Sequence, residues 1–212
     1  MAPRFPLMVD LDDRPVLVVG GGAVATRKVL GLLGAGARVT VVSPGLSAPL
    51  AELVRAGTVR WHEGRYLALG RAEGDLPFAL VIAATDEPAV NDQVAADARR
   101  AGLWANHAGL PDGGPVAVPA SRTEGRLTVA VSTGGAHPAA GAWAADRAMA
   151  AIGPEVVELL DLVDEVRAAD AEGGGSGHRP DWKCAVDSGT LELIREGRRA
   201  EAKERLQACL SS

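Results

Sequence analysis

Three consecutive glycines, Gly20-Gly21-Gly22, stand between the apolar run Val16-Leu17-Val18-Val19 and a segment of helical periodicity. The spacing Gly20-x-Gly22-x-x-Ala25 gives each small residue a task in holding a dinucleotide. Gly20 permits the tight turn, Gly22 lets a pyrophosphate approach the backbone, and Ala25 lets helix and strand pack closely. The N–H groups of Ala23 and Val24 are then expected to face the pyrophosphate at the positive end of the helix. A carboxylate is expected about 20 residues on, to accept the ribose hydroxyls. It is absent, because the second apolar run ends Val41-Val42-Ser43-Pro44. Ser43 is left to hydrogen-bond a ribose hydroxyl, and no arginine stands beside it for a 2′-phosphate, so NAD and NADP stay open on spacing alone. Thr85 and Asp86 end a later apolar run, where an open parallel sheet places its ligand crevice. For Asp86 a plain helix cap is an equal reading. Four His and two Cys make no tightly spaced ligand cluster, so no resident metal is expected.

These residues need a scaffold. Residues 16–19 read as a strand buried on both faces of a parallel sheet. A helix over 23–33 carries Val24, Val29, Leu32 and Leu33 at near-helical spacing and stops at Gly34-Ala35-Gly36, and a second strand follows over 38–42. A short helix around 50–55, strands at 58–61 and 78–85, a helix from Asp86-Glu87-Pro88 to Arg100, and a strand at 103–108 continue the alternation. Strands alternating with helices predict an α/β fold, a Rossmann-type doubly wound parallel sheet. The pattern then changes to a turn-rich stretch at 109–115, short strands at 116–120 and 127–133, and a helix from Pro138. A helix over 155–171 sets Val156, Leu159, Leu160, Val163 and Val166 on one face and needs a partner surface. Gly173-Gly174-Gly175-Ser176-Gly177 reads as a flexible linker, and 191–210 as a closing helical pair interrupted near Gly197. The expected parts are a dinucleotide domain over 1–112, a small α+β segment over 113–150 and a helical domain over 151–212.

Composition narrows the function. At 47% hydrophobic and 23% charged, the 212 residues describe an ordinary globular protein. A net charge of -5 argues against a nucleic-acid partner, which calls for clustered Lys and Arg. No run reaches the ~20 apolar residues of a membrane span, and the start has no apolar targeting core, so a cytoplasmic protein is expected. Cys184 and Cys209 lack metal-site spacing and read as reduced, buried thiols.

Several segments together resemble one family: Pro15-Val16-Leu17-Val18-Val19-Gly20-Gly21-Gly22, Arg27-Lys28, Ala35-Gly36-Ala37-Arg38-Val39-Thr40-Val41-Val42, Ala83-Ala84-Thr85-Asp86 and Val131-Ser132-Thr133-Gly134-Gly135. They are similar to the precorrin-2 dehydrogenases, the NAD-dependent module of siroheme synthases, some of which also insert ferrous iron into sirohydrochlorin. The likeness spans nearly the whole chain, continuing through Trp182, Leu191-Glu192-Leu193-Ile194-Arg195-Glu196-Gly197 and Glu201-Ala202-Lys203-Glu204-Arg205-Leu206. It implies a Rossmann domain, a central segment that pairs two chains into a homodimer, and a helical domain, with a tetrapyrrole substrate. It also implies NAD at Ala23, Val24, Ser43 and Pro44, and substrate at Asn106, Ser132, Thr133, Gly134 and Gly135, with Ser132 lining the active site. For the Ser132-Thr133-Gly134-Gly135 turn, a strand end feeding the Pro138 helix, whose free N–H groups could bind a substrate carboxylate, is an equal reading.

The departure lies after the fifth strand. Family members usually carry Asn-Val-Val-Asp-Asp there, and the first Asp is assigned to acid–base work and metal delivery. Here the stretch reads Asn106-His107-Ala108-Gly109-Leu110, and the family's following Cys-Asp-Phe is Gly113-Gly114-Pro115. His107 and Asp112 flank the empty position, and His137 sits near the serine turn; a histidine titrating near neutral pH could accept a proton. Local hydrogen bonding of these histidines and a turn role for Asp112 are the alternatives. The nicotinamide takes a hydride in the oxidation, so a base is optional, whereas metal insertion must remove pyrrole protons. The expectation is NAD-dependent oxidation of precorrin-2 to sirohydrochlorin, with ferrochelatase activity weak or absent. The alternatives are a relative acting as dehydrogenase or chelatase on another substrate, and a non-catalytic dinucleotide sensor.

Overall fold

The computed structural model describes residues 4–69, 78–110, 113–135, 137–172 and 189–210. The chain divides into two compact units, one of residues 1–119 with 133–137, the other of 120–132 with 138–212.

In the first unit the alternating pattern becomes β1 (Pro15–Val19), α1 (Ala23–Gly34), β2 (Arg38–Ser43), α2 (Ala48–Arg55), β3 (Arg60–Glu63), β4 (Leu80–Ala83), α3 (Pro88–Arg100) and β5 (Trp104–His107). The strands form one parallel sheet in the order β3-β2-β1-β4-β5. This Rossmann-type order reverses direction between β1 and β4, and the reversal opens a crevice at the carboxyl ends of those strands. Period-two alternation explains why β1 is apolar throughout. Val16 and Val18 pack on one face with Val29, Leu32 and Leu50, while Leu17 and Val19 pack on the other with Val94 and Ala98. The α1 stop is a backbone device: Gly36 at φ +77° donates to Leu33, and Ala37 donates to Leu32.

Two expected strand starts move for one reason: adjoining residues spend their N–H groups closing a helix. The strand expected at 58–61 begins at Arg60, because Thr58 and Val59 both donate to the Leu53 carbonyl at the end of α2. Leu103 likewise donates to Ala98, so β5 begins at Trp104 rather than 103. The strand expected at 78–85 is confined to Leu80–Ala83, the stretch paired to both neighbours. The strand expected at 116–120 is not formed. Val116 donates back to Ala105 as the chain folds over β5, and prolines at 115 and 119 lack the donors a ladder needs.

In the second unit the hairpin is β6 (Ala120–Glu124) with β7 (Leu127–Val131), antiparallel and turned at Gly125, whose φ is +53°. Then come α4 (Pro138–Ile152), α5 (Pro154–Glu172), α6 (Thr190–Arg195) and α7 (Arg199–Leu210). The apolar face of α5 finds its partner within the chain. Leu159, Leu162, Val163 and Val166 pack with Leu193 and Ile194 of α6 and Ala202 and Leu206 of α7. The amphipathic helix therefore does not by itself call for a second subunit. Arg195 bonds to Glu155 at 2.7 Å and Lys203 to Glu165 at 3.3 Å across the same helices.

The expectation of reduced thiols is corrected at Cys209, which is disulfide-bonded. Distance along a chain is silent on which sulfurs the fold brings into bonding range. The other cysteine, Cys184, and the glycine-rich stretch at 173–177 lie outside the described residues. Among the described residues no helix is long and apolar enough to cross a membrane.

Leu162 is fully buried in the helical core. Leu162→Ala is expected to destabilise that unit by about 2–5 kcal/mol. Chemical denaturation should show the same loss at low and high protein concentration, since the packing is intramolecular.

Candidate functional site

The site starts from what the end of β1 cannot carry. Gly20 donates its N–H to the Val42 carbonyl at 2.9 Å, extending the ladder one residue beyond the strand. Its φ is +126°, and a β-carbon there would overlap the Ala84 carbonyl oxygen, so only glycine fits. Gly21 is confined from another side: its β-carbon would overlap the Gly45 carbonyl and lie 2.6 Å from Ser43 Oγ. Gly22 is different, with nothing within 4 Å of the place its β-carbon would take.

The carbonyl oxygens of the turn face inward and are occupied. Gly21 accepts from the Ser47 N–H at 2.8 Å, and Gly22 accepts from both the N–H and the hydroxyl of Thr26 at 2.9 Å. The hydroxyls of Thr26 and Ser47 share a further bond of 2.8 Å. Gly22 is the N-cap of α1 and supplies no side-chain cap, so the amides of the exposed Ala23 and Val24 stand at an uncapped helix N-terminus.

Ser43 ends β2 nearly buried, and its hydroxyl donates to the Gly45 carbonyl at 2.7 Å, holding the loop against which Gly21 rests. The Ser43 carbonyl accepts from Trp61 Nε1 and from the Gly64 N–H, each at 3.1 Å. The second bond carries the chain leaving β3 past the end of β2, bringing Arg65 there. No arginine neighbours Ser43 in sequence, so Arg65 is a residue that spacing could not reveal.

Beyond β4, Thr85 is fixed by Asn91, which is 3% exposed. Asn91 Oδ1 accepts from the Thr85 N–H at 2.9 Å and from its hydroxyl at 2.8 Å, while Nδ2 donates to the Thr85 carbonyl at 3.0 Å. Asn91 was not among the sequence candidates; its signal is an amide six residues after Thr85, one helical turn inside α3. Asp86 is exposed, and the N-cap of α3 is Glu87, which makes no side-chain cap bond and instead meets Arg65 at 3.5 Å.

At the end of β5 neighbouring residues point to opposite faces. Asn106 is 7% exposed; its Nδ2 donates to the Val116 carbonyl at 2.9 Å, and its Oδ1 has no partner among the described residues. The His107 side chain is 4% exposed, with Nε2 3.4 Å from Asp92 Oδ1 but outside hydrogen-bond geometry. Its Nδ1 accepts from the Gly109 N–H at 3.2 Å, which assigns the proton of the neutral ring to Nε2. Gly113 presses on the ring, since a β-carbon there would lie 2.7 Å from His107 Cγ. The glycines that replace the family's Cys-Asp-Phe thus admit a packed imidazole. Asp112 lies outside the described residues.

Between β7 and α4, Ser132 is exposed, and Thr133 closes the turn: its hydroxyl accepts from the His137 N–H at 3.3 Å and donates to the His137 carbonyl at 3.1 Å. Gly134 and Gly135 both have positive φ, +66° and +85°, which explains the glycine pair. His137 is exposed.

The structure therefore gathers Gly20, Gly22, Ala23, Val24, Ser43, Pro44, Thr85 and Asp86 on one edge of the parallel sheet, around the β1/β4 reversal. Open space at Gly22, uncapped amides and the close Gly20–Ala84 approach fit the pyrophosphate of a dinucleotide.

Comparison with known proteins agrees with this geometry. The family model described as "Putative NAD(P)-binding" matches residues 7–120. The siroheme synthase of Methylococcus capsulatus is 37% identical over 203 residues, 94% of this chain and 42% of that protein. The siroheme synthase of Azotobacter vinelandii is 44% identical over 135 residues, 63% of this chain and 28% of that protein. The chain thus spans less than half the length of these curated relatives. The solved structure described as "SirC, precorrin-2 dehydrogenase" covers 98% of this chain and 100% of its own at 27% identity, with a TM-score of 0.66.

Two outcomes are expected at the turn. Gly22→Ala should keep the fold's stability within about 1 kcal/mol while weakening NADH binding roughly tenfold, whereas Gly20→Ala should lower stability by more than about 2 kcal/mol. Thermal melts and NADH fluorescence titration separate them. The loop after β3 gives a pH test: burial, then the hydrogen bond to and charge of Asp97, push the Tyr66 phenol above its ordinary value. Stability from this group is full below about pH 10 and is lost as pH rises above it toward the folded value. Tyr66→Phe should abolish that alkaline loss in denaturation curves.

Proposed function

We propose that this chain, which belongs to the family described as "Putative NAD(P)-binding", oxidises precorrin-2 to sirohydrochlorin in siroheme biosynthesis, with NAD as hydride acceptor. The observation that carries the reading is the Gly20–Gly22 turn, closed against Ala84 on one side and open at Gly22 on the other. The names of the similar proteins, siroheme synthase and precorrin-2 dehydrogenase, support the substrate.

In this reading Ala23 and Val24 donate backbone N–H bonds to the pyrophosphate, Ser43 and Pro44 border the adenosine ribose, and Thr85 and Asp86 border the crevice beyond β4. NAD held there would supply the acceptor for a hydride from a ring carbon of the substrate, with a proton lost from the adjoining position. The protein's part is to orient the two rings and exclude water. Asn106 and the Ser132-Thr133-Gly134-Gly135 turn are assigned to the tetrapyrrole. The unpartnered Asn106 Oδ1 supports this, since a buried acceptor is stabilised when a ligand brings a donor.

Ferrous iron insertion is weak or absent in this proposal. It needs an acceptor for pyrrole protons, and the family's carboxylate position is Gly109. His107 is a poor substitute, being buried with Nδ1 engaged by Gly109; His137, which is exposed, and Asp112, which lies outside the described residues, are left to variant tests. A cytoplasmic homodimer completes the proposal, the dimer resting on the family resemblance.

Anaerobic incubation with precorrin-2 and NAD is expected to form NADH and the sirohydrochlorin spectrum in equal amounts, with little siroheme on adding Fe²⁺. Retained NAD binding without NADH formation would reject the dehydrogenase in favour of a sensor or another substrate. Sedimentation at micromolar concentration tests the dimer.

A further inference from the structure

We infer that Arg65 and Glu87 set the choice between the two nicotinamide dinucleotides, with Glu87 occupying the guanidinium that a 2′-phosphate would otherwise take. This rests on the proposed dinucleotide site and concerns its adenosine end. In a Rossmann sheet the residue ending the second strand meets the adenosine ribose, through a carboxylate for a free 2′-hydroxyl or a nearby arginine for a 2′-phosphate. Here β2 ends in Ser43, whose hydroxyl is turned onto Gly45, so the strand itself offers neither.

The discriminating groups come from the loops on either side. Gly64, at φ +150°, donates to the Ser43 carbonyl and turns the chain across the end of β2. The loop is then fastened to α3 by Tyr66 Oη bonding to Asp97 at 2.9 Å and by Gln93 bonding to the Leu67 carbonyl at 3.1 Å. A cavity of about 140 Å³ lies under this loop, bordered by Val42, Glu63, Arg65 and Tyr66 among others. Arg65 leaves the loop one residue beyond the Ser43 contact and reaches Glu87, at the start of α3, at 3.5 Å. Both side chains are solvent-exposed, 76% and 56%, so the pair is weak and open to exchange. Glu63, opposite Ser43 in the β2–β3 register, adds a second exposed carboxylate at the same edge.

Arg65 beside the carboxylates of Glu87 and Glu63 sets one positive charge against two negative, a balance that admits a neutral ribose hydroxyl and repels a phosphate dianion. Without Glu87, Arg65 is a free fork beside the ribose, the geometry that binds phosphate. Freeing the Arg65 guanidinium for a charge-assisted bond to a 2′-phosphate is worth roughly a five- to tenfold change in affinity.

The test is titration of NADH and NADPH by nicotinamide fluorescence against the full chain and the variants Glu87→Gln, Arg65→Gln and the double variant. Wild type should favour NADH, and Glu87→Gln should raise the NADPH-to-NADH affinity ratio roughly five- to tenfold. The gain should disappear in the double variant, which has the same carboxylate removed. An unchanged ratio in Glu87→Gln, or a gain that survives loss of Arg65, overturns the inference while leaving the dinucleotide site intact. Failure of wild type to bind either dinucleotide overturns the site itself, and the inference with it.

Discussion

The carbonyl oxygen of Ala84 stands where a β-carbon on residue 20 would have to be. That contact holds the end of β1 against the end of β4 at the point where the strand order reverses, and Gly20 is tied to β2 on its other side through Val42. Three strand ends are therefore brought together through one residue without a side chain. The direction of α1 depends on it, because the helix starts three residues later, and so does the placement of its free amides. Gly21 repeats the constraint one step on, against the loop that Ser43 holds to Gly45. The open position at Gly22 follows from its two neighbours being closed.

The end of β5 follows a different logic. Where the family resemblance implies carboxylates, this chain has an imidazole turned toward α3, a glycine amide bonded to that imidazole, and a glycine pressed on its ring. Residues 107 and 113 belong together, since a side chain at 113 would collide with His107. Hydride transfer to a nicotinamide survives such a change more readily than deprotonation of a macrocycle during metal entry, because only the latter requires an acceptor beside the ring. Under the proposed function the local packing thus bears on metal insertion more heavily than on the oxidation.

Apolar periodicity found Leu159, Val163 and Val166 of the α5 face, but it missed Leu162, included Val156 and Leu160, which lie outside the packed cluster, and did not say what covers the face. Leu159, Leu162, Val163 and Val166 could as well be buried by another subunit, and the pattern is the same in either case. The structure covers them with α6 and α7 from the end of the same chain. Strand limits show a similar ambiguity: Val59 and Leu103 have β-compatible side chains, yet their N–H groups close the helices before them. Hydrophobic pattern reports burial, and only the hydrogen-bond partner decides where a strand begins.

What the sequence alone determined was whatever depends on neighbours along the chain: the alternating strands and helices, the glycine turn, the glycine pair after Ser132 and the stop at Gly36. These are local because backbone dihedrals and side-chain period are local. Tertiary structure decided what depends on residues far apart in number. It brought Arg65 to the end of β2 and to Glu87, gave Asn91 the closing of the Thr85 loop, turned His107 inward under Gly113, and bonded Cys209. No spacing rule anticipates these: the first three are set by how the sheet stacks its strand ends, which follows from burying both faces of β1 at once, and the bond at Cys209 belongs to the helical unit.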